Sequence, residues 1–116
     1  MRMIPGSTGL LVTMLAASGA GGCPLEVLVP AYQYPTMGNM WASITGSAAA
    51  NPSVRLNAIL NPASGPGTSI DDNYTTAVNA ARAAGVHIFA YVDTAYGARP
   101  IGDVLSDVAT YLSFYA

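Results

Sequence analysis

Three short runs of apolar residues recur along the chain at a spacing of about 30 residues, the size of one βα unit in a (β/α)₈ barrel. They cover Leu25 to Ala31, Arg55 to Leu60 and Val86 to Val92, and each is followed by turn-forming or polar residues. Short, almost uninterrupted apolar runs are typical of strands that are covered on both faces, as in parallel sheets. The spacing therefore predicts three parallel strands, each followed by a helix.

The segments after the three runs have helical spacing. The second helix is predicted to begin at Asp71-Asp72-Asn73, because these residues are good N-caps and negative charge favours a helix N-terminus. Gly85 stands where a C′ glycine ends a helix, and Pro100 suits the first turn of the third helix. The predicted core-facing residues are Trp41, Ile44 and Ala48 in the first helix, Tyr74, Ala77, Val78 and Ala81 in the second, and Ile101, Val104, Leu105, Val108, Leu112 and Tyr115 in the third, with Asp103 and Asp107 on the opposite side.

The predicted fold class is α/β, a partial (β/α)₈ TIM-like barrel of three βα units with parallel strands. Three units cannot close a barrel of about 250 residues, and the alternative, an open three-stranded sheet, would leave edges and apolar faces uncovered. Hydrophobic residues make up 52% of the 116 residues and charged residues 9%, against about 25% charged in ordinary soluble domains. We therefore expect cover from elsewhere, by a homo-oligomer or a missing C-terminal half.

The first 23 residues differ from the rest of the chain. Arg2 is their only charge, an apolar run follows from Leu10 to Ala17, and small residues extend from Ser18 to Gly22. This order is typical of a secretory signal peptide, and the alternative is a disordered N-terminus. The run is too short for a transmembrane span, which needs about 20 apolar residues. The predicted organisation is thus residues 1–23, a signal peptide or disordered segment, and residues 24–116, the βα units of a secreted or cell-surface protein; cleavage or lipidation at Cys23 stays open.

Composition and motifs argue against several functional classes. The chain has no lysine and only four scattered arginines, whereas a nucleic-acid partner requires clustered cations. One cysteine and one histidine, His87, make neither a disulfide nor a metal site. The glycine-rich segment from Asn61 to Gly67 lacks the Walker lysine and the G-x-G-x-x-G spacing. We expect no nucleic acid, no metal and no cofactor.

The least ordinary residues follow the three apolar runs. In parallel α/β folds, function collects at the carboxyl ends of the strands, so these segments should meet at one rim. Tyrosine rings beside hydrogen-bonding groups suit a sugar, whose ring offers C–H faces and hydroxyls; the alternative is that turn chemistry alone selected the Asn, Pro, Gly and Ser residues. The candidate substrate-binding residues are Tyr32, Tyr34, Asn61, Ser64, Asp93, Thr94 and Tyr96.

Asp93 is the only carboxylate predicted at the rim, whereas hydrolysis of a glycosidic bond normally needs two carboxyl groups. Asp71 and Asp72 are predicted to cap the second helix, Asp103 and Asp107 to lie on the wet face of the third, and Glu26 at the opposite end of the first strand. The sequence therefore offers no credible catalytic pair, and the catalytic residues stay unknown.

Several rim segments together resemble the spherulation-specific family 4 (spherulin-4-like) proteins. They are Leu28-Val29-Pro30-Ala31-Tyr32-Gln33-Tyr34-Pro35, Trp41, Asn61-Pro62-Ala63-Ser64-Gly65-Pro66-Gly67, Tyr74, Ala90 to Arg99, Asp107 and Tyr111. The resemblance covers the chain from about Leu25 to its end. It implies a (β/α)₈-barrel glycoside hydrolase that cuts galactosamine-containing polysaccharide, usually with a secretion signal.

The same resemblance places the catalytic acids of the family after the fourth and later strands, and no position in this sequence matches them. By resemblance, Tyr32, Tyr34, Asn61, Asp93, Thr94 and Tyr96 would line the glycan groove. We expect an N-terminal fragment of such a hydrolase that is inactive alone. The alternatives are a non-catalytic glycan-binding or cell-surface protein and a half-barrel that oligomerisation or a second chain completes.

Overall fold

The structure, a computed structural model, describes residues 25–116. The predicted signal peptide or disordered segment, residues 1–23, lies outside the described residues. The elements follow one another as β1 (Glu26–Ala31), α1 (Met40–Ala50), β2 (Arg55–Leu60), α2 (Asp72–Ala83), β3 (His87–Ala90) and α3 (Ile101–Tyr115), with a 3₁₀ turn at Ala95–Gly97 between β3 and α3. None of these helices is long and apolar enough to cross a membrane.

The strands form one parallel sheet in the order β1-β2-β3. Ala31 pairs with Leu60, and Leu60 pairs with Ala90, so the carboxyl ends of the three strands meet at one edge. The predicted fold class, α/β with three parallel βα units, is therefore confirmed. The strand β3 is shorter than the predicted run Val86 to Val92, although the N–H of Tyr91 still donates to the carbonyl of Leu60 at 2.9 Å.

Helix boundaries follow the capping signals of the sequence. The carboxylate of Asp71 accepts from the N–H groups of Asn73 and Tyr74 at 2.9 and 3.3 Å, which satisfies two free donors at the start of α2. Gly85 follows the end of α2 with a φ of 90°, a conformation that glycine adopts without a Cβ clash. Pro100 stands immediately before α3 and not within its first turn.

The core lies between the sheet and the helices that cover one of its faces. The predicted inward residues of α1 are buried, and three of the four predicted in α2 are buried, while Ala77 is partly buried against the cluster. The buried apolar residues are Ala31, Trp41, Ile44, Ala48, Leu56, Ala58, Leu60, Tyr74, Val78, Ala81, Val86, Tyr111 and Tyr115.

The prediction for α3 was wrong for most of the stripe that it assigned to the core. Tyr115 of that stripe is buried, as is Tyr111, which the stripe did not include. The exposed members of the stripe, at 42% to 72%, are Ile101, Leu105, Val108 and Leu112. Asp107, predicted on the wet side, is instead half-buried beside Arg99. The reason is that α3 carries apolar side chains on two faces. The face with Tyr111, Tyr115 and the ion-paired Asp107 packs toward the end of the sheet. The second apolar face remains in contact with solvent.

The sheet face opposite the helices is also open to solvent. Leu28, Ile59 and Phe89 lie on this face around a depression of about 380 Å³, and Phe89 is 54% exposed. In a closed barrel, side chains from other strands would cover this face. The described residues thus present two uncovered apolar surfaces, one on the sheet and one on α3.

Candidate functional site

The carboxyl edge of the sheet carries an aromatic pair. Tyr32 follows β1 directly, and its ring lies 6.1 Å from the ring of Tyr91, edge to face. Tyr91 also lines the open depression on the sheet, next to Phe89. The two strands that supply these rings are separated by β2, so the pair spans the end of the middle strand and forms the floor of the rim.

The loop after β2 is held by its own polar groups. The side-chain oxygen of Asn61 accepts from the N–H of Gly65 at 3.1 Å, and the N–H of Ala63 donates to the carbonyl of Gly65 at 3.1 Å. Ser64 sits exposed at the tip with a φ of 54°, which is uncommon for a residue with a Cβ. The side-chain oxygen of Asn61 thus shapes the turn, and Ser64 faces solvent.

The loop after β3 is strained. Ala95 and Tyr96 adopt φ values of 47° and 54°, a left-handed conformation that costs residues other than glycine about 1–3 kcal/mol each. The carboxylate of Asp93 accepts from the N–H of Ala95 at 2.8 Å, and the carbonyl of Thr94 accepts from the N–H of Gly97 at 2.9 Å. The side chain of Tyr96 is fully exposed. Strain of this kind clusters at functional sites because surrounding contacts must enforce it.

An ion pair lies behind this loop. The guanidinium of Arg99 donates to the carboxylate of Asp107 at 2.6 Å and to the carbonyl of Asp93 at 2.9 Å. The hydrogen bond to Asp107 raises the pKa of Arg99 above its ordinary value. Gly65 lies beside the same carboxylate, since a Cβ added there would be at van der Waals distance, 3.4 Å, from its oxygen. Asp107 therefore lies next to the loop after β2 and bonds to the residue that braces the loop after β3.

The structure places Tyr34 apart from the other candidate residues. Its hydroxyl donates to the carboxylate of Asp71 at 3.0 Å and accepts from the side-chain amide of Asn73 at 2.8 Å. Its ring packs edge to face on Tyr74 at 5.3 Å. Tyr34 thus fastens the loop after β1 to the start of α2, whereas Tyr32, Asp93, Thr94 and Tyr96 lie on the loops at the sheet edge.

Asp93, three residues beyond the end of β3, remains the only acidic residue within a few residues after a strand in the described chain. Asp71 caps α2, and Asp107 pairs with Arg99. Glu26 pairs with Arg55 at 2.8 Å at the opposite end of the sheet. Within residues 25–116 no three His, Cys, Asp or Glu side chains gather closely enough to hold a metal ion. These residues therefore provide hydrogen bonds and aromatic contacts at the rim, with the exposed carboxylate of Asp93, which also accepts from the N–H of Ala95.

A second groove lies on the outer layer, between α1 and α2. It has a volume of about 550 Å³ and is lined mainly by small or apolar side chains, among them Trp41, Ala42 and Ala77. Sugar recognition needs several hydrogen-bonding groups around the ring hydroxyls, and this groove offers few. The rim is the better candidate site.

Comparison with known proteins identifies the family. A model of spherulation-specific family 4 matches residues 26–116. The chain belongs to this family. Spherulin-4 from Physarum polycephalum is 48% identical over 93 residues, which are 79% of this chain and 27% of that protein. The family resemblance inferred from the rim motifs is thus confirmed.

A solved structure of a related protein shows the same architecture. The crystal structure of Aspergillus clavatus Sph3 in complex with GalNAc matches with a TM-score of 0.70 and 34% identity, over 78% of this chain and 36% of the Sph3 chain. Three parallel βα units therefore correspond to part of Sph3. The chain spans about a quarter to a third of the length of these two spherulin-4 relatives.

Two features of the rim were not predicted as parts of the site. Tyr91 was assigned only to the sheet, although its odd-numbered position, shared with Phe89 and Asp93, already placed it on the face that leads to the rim. The pair of Arg99 and Asp107 was missed because Asp107 was assigned to solvent. The sequence held one signal for it, an aspartate one helical turn before the buried Tyr111.

Proposed function

We propose that this chain carries part of the glycan-binding groove of a spherulin-4-like, polysaccharide-acting glycoside hydrolase, and that by itself it binds galactosamine-containing glycan without hydrolysing it. The observation that carries the proposal is the rim itself, where the Tyr32–Tyr91 pair, the exposed carboxylate of Asp93 and the exposed ring of Tyr96 adjoin one sheet edge. The match to Sph3, crystallised with GalNAc, supports the choice of sugar.

The chemistry of the rim suits a neutral or amino sugar. A pyranose ring presents C–H groups on its faces, which pack on the flat surfaces of tyrosine rings, and hydroxyls around its edge, which bond to carboxylate, amide and hydroxyl groups. Tyr32 and Tyr96 supply exposed rings, and Asp93 supplies a charged acceptor. Secretion or a cell-surface location, proposed from the composition of residues 1–23, agrees with a polysaccharide ligand.

Hydrolysis is not expected, because it requires two carboxyl groups at a set separation, roughly 5–5.5 Å for retention or 6.5–9.5 Å for inversion. Asp93 is the one candidate. The carboxylate of Asp71 bonds to Tyr34 and to the start of α2, and the carboxylate of Asp107 bonds to Arg99. Asp72 and Asp103 are exposed residues of helices.

The proposal predicts binding without turnover. Titration of the full chain with GalNAc by calorimetry should give measurable affinity, and Tyr32→Ala should weaken it roughly tenfold, as expected for loss of a stacking contact of about 1–1.5 kcal/mol. Thr45→Ala, on the outer groove between α1 and α2, is the matched control and should bind as the unmodified chain does. Oligosaccharide release from a galactosamine polymer, abolished by Asp93→Asn, would contradict the proposal, as would the absence of any affinity for GalNAc.

A second candidate function is that of a half-barrel completed by another polypeptide chain. The exposed apolar residues of α3 and of the open sheet face favour it, because surfaces of this kind mark sites of association. In that arrangement the partner would bring further strands to β3, and the rim would become one side of a larger groove. Glycan binding at the rim is common to both candidates.

A further inference from the structure

The backbone that carries Tyr96 needs external support. Ala95, Tyr96 and Gly97 stand in succession with φ values of 47°, 54° and 87°, and only the last is a glycine. The side chain of Tyr96 points into solvent and makes no packing contribution of its own, since it is fully exposed. A segment of this kind relaxes unless neighbouring contacts over-determine it. The contacts that hold this segment therefore determine the position of the Tyr96 ring.

Arg99 supplies contacts from one side of the loop. Its guanidinium donates to the main-chain carbonyl of Asp93, at the start of the strained segment, at 2.9 Å. Its own N–H donates to the carbonyl of Thr94 at 3.1 Å. Two adjacent carbonyls at the start of the segment, those of Asp93 and Thr94, are therefore tied to Arg99, and the side-chain tie exists only while the guanidinium is held in place.

Asp107 holds that guanidinium. Its carboxylate accepts from Arg99 at 2.6 Å, with about a quarter of each side chain exposed. One turn further along α3, the hydroxyl of the buried Tyr111 reaches the carbonyl of Leu60 at 3.4 Å, which fixes the helix under the end of β2. Gly65 of the loop after β2 lies beside this carboxylate, since a Cβ at that position would be at van der Waals distance, 3.4 Å, from its oxygen. The ion pair is therefore held next to the carboxyl end of the middle strand.

We propose that Arg99 and Asp107 are positioning residues for glycan binding, which hold the loop Asp93–Gly97 in the conformation that presents Tyr96 to the sugar. This assignment rests on the proposed function of the rim. It adds that the affinity for sugar depends on an ion pair that does not itself contact the ligand. Neither residue is catalytic, and Asp107 acts only through Arg99.

The test compares Asp107→Asn and Arg99→Lys with Asp103→Asn in the full chain. Asp103 is an exposed aspartate of the same helix whose main-chain carbonyl, not its carboxylate, faces Arg99 at 3.4 Å. Hydrogen exchange is measured at the amides of Gly97, Ala98 and Arg99, which bond within the turn. Because hydrogen bonds to charged groups are the stronger ones, exchange there should become roughly tenfold faster in the two variants of the pair and stay unchanged in the control.

Titration with GalNAc completes the experiment. Affinity should fall roughly tenfold in Asp107→Asn, and in a Tyr96→Ala background the same substitution should cause no further loss, because the pair acts through that ring. A merely structural role would give the same loss in both backgrounds and would overturn the assignment. Equal exchange in Asp107→Asn and Asp103→Asn would overturn it as well. Faster exchange in a chain that does not bind GalNAc would support the loop assignment and contradict the proposed function.

Discussion

Asp71 bonds to the loop after β1, to the start of α2 and to the end of α3. One carboxylate oxygen accepts from the first N–H groups of α2, the other accepts from the hydroxyl of Tyr34 at 3.0 Å, and the main-chain N–H donates to the hydroxyl of Tyr115 at 3.3 Å. The residue that the sequence predicts as a helix cap therefore also links three parts of the chain. Its charge helps to raise the pKa of two neighbouring tyrosines, Tyr74 and Tyr115.

Three buried tyrosines have raised pKa values. Burial is the largest cause of the raised pKa of Tyr111, and the charge of Asp107 makes a smaller contribution. Burial, followed by the charge of Asp71, raises the pKa of Tyr74. The pKa of Tyr115 is raised by burial and by Asp71, although a hydrogen bond from the main chain of Asp71 lowers it in part. The native state therefore retains these protons beyond the ordinary value of 10.0.

These shifts predict loss of stability at alkaline pH. Because the folded pKa values lie above the unfolded ones, the stabilisation is complete below about pH 10 and is lost as pH rises through the folded values, by up to about 1.4 kcal/mol per pH unit for each tyrosine. Urea unfolding between pH 8 and pH 12, with tyrosinate absorbance recorded in parallel, measures this. Tyr111→Phe should flatten the decline. The chain has no lysine to titrate in the same range.

At the scale of elements, α3 departs most from its prediction. In α1 the large side chains of Trp41 and Ile44 share one face with Ala48, so spacing alone predicts these three residues as core. In α3 apolar residues occupy two faces, and periodicity cannot say which one the sheet takes. That choice depends on tertiary partners, namely Arg99 for Asp107 and the carbonyl of Leu60 for Tyr111.

The corrected face of α3 leads to a prediction on stability and association. Leu105→Gln with Leu112→Gln should change the free energy of unfolding by no more than about 0.5 kcal/mol each, because both side chains are exposed. The same double substitution should reduce self-association of the full chain in light scattering, because an apolar surface is lost.

Tyr111→Ala is the matched comparison for that helix. Tyr111 is 5% exposed, and removing a large buried aromatic ring should lower the free energy of unfolding by about 3–5 kcal/mol. If the leucine variants proved the more destabilising, the originally predicted stripe would be the true core face and the packing of α3 described above would be wrong.

For the whole molecule, the parallel order of the strands explains what the sequence could predict about the site. Once three strands run the same way, the residues that follow them must meet at one edge, so the sequence predicts Tyr32, Asn61 and Asp93 together at that edge. Tyr34 followed from the same rule but lies against α2, because beyond the strand its hydroxyl finds Asp71 and Asn73. Loop paths and side-chain partners of this kind depend on three-dimensional proximity that spacing does not encode.

The rim and the outer groove are two candidate binding surfaces for the same ligand, GalNAc. The rim joins aromatic rings and polar groups at the sheet edge, with Tyr32 and Tyr91 at 6.1 Å, whereas the groove between α1 and α2 has a volume of about 550 Å³ and is mostly apolar. The depression beside Tyr91 has a volume of about 380 Å³, so size alone would favour the groove. The chemistry of a sugar favours the rim, because its hydroxyls need partners that the groove does not supply. Locating bound GalNAc on the chain distinguishes the two.

The most direct measurement is therefore a GalNAc titration of the ¹⁵N-labelled full chain followed by amide chemical shifts. Binding at the rim predicts saturable shifts at Tyr32, at Asn61 and along Asp93–Gly97, with little change in the outer helical layer. Shifts concentrated at Trp41, Ala42 and Ala77, or no saturable shift at any residue, would contradict the assignment of the carboxyl edge of the sheet as the glycan-binding surface.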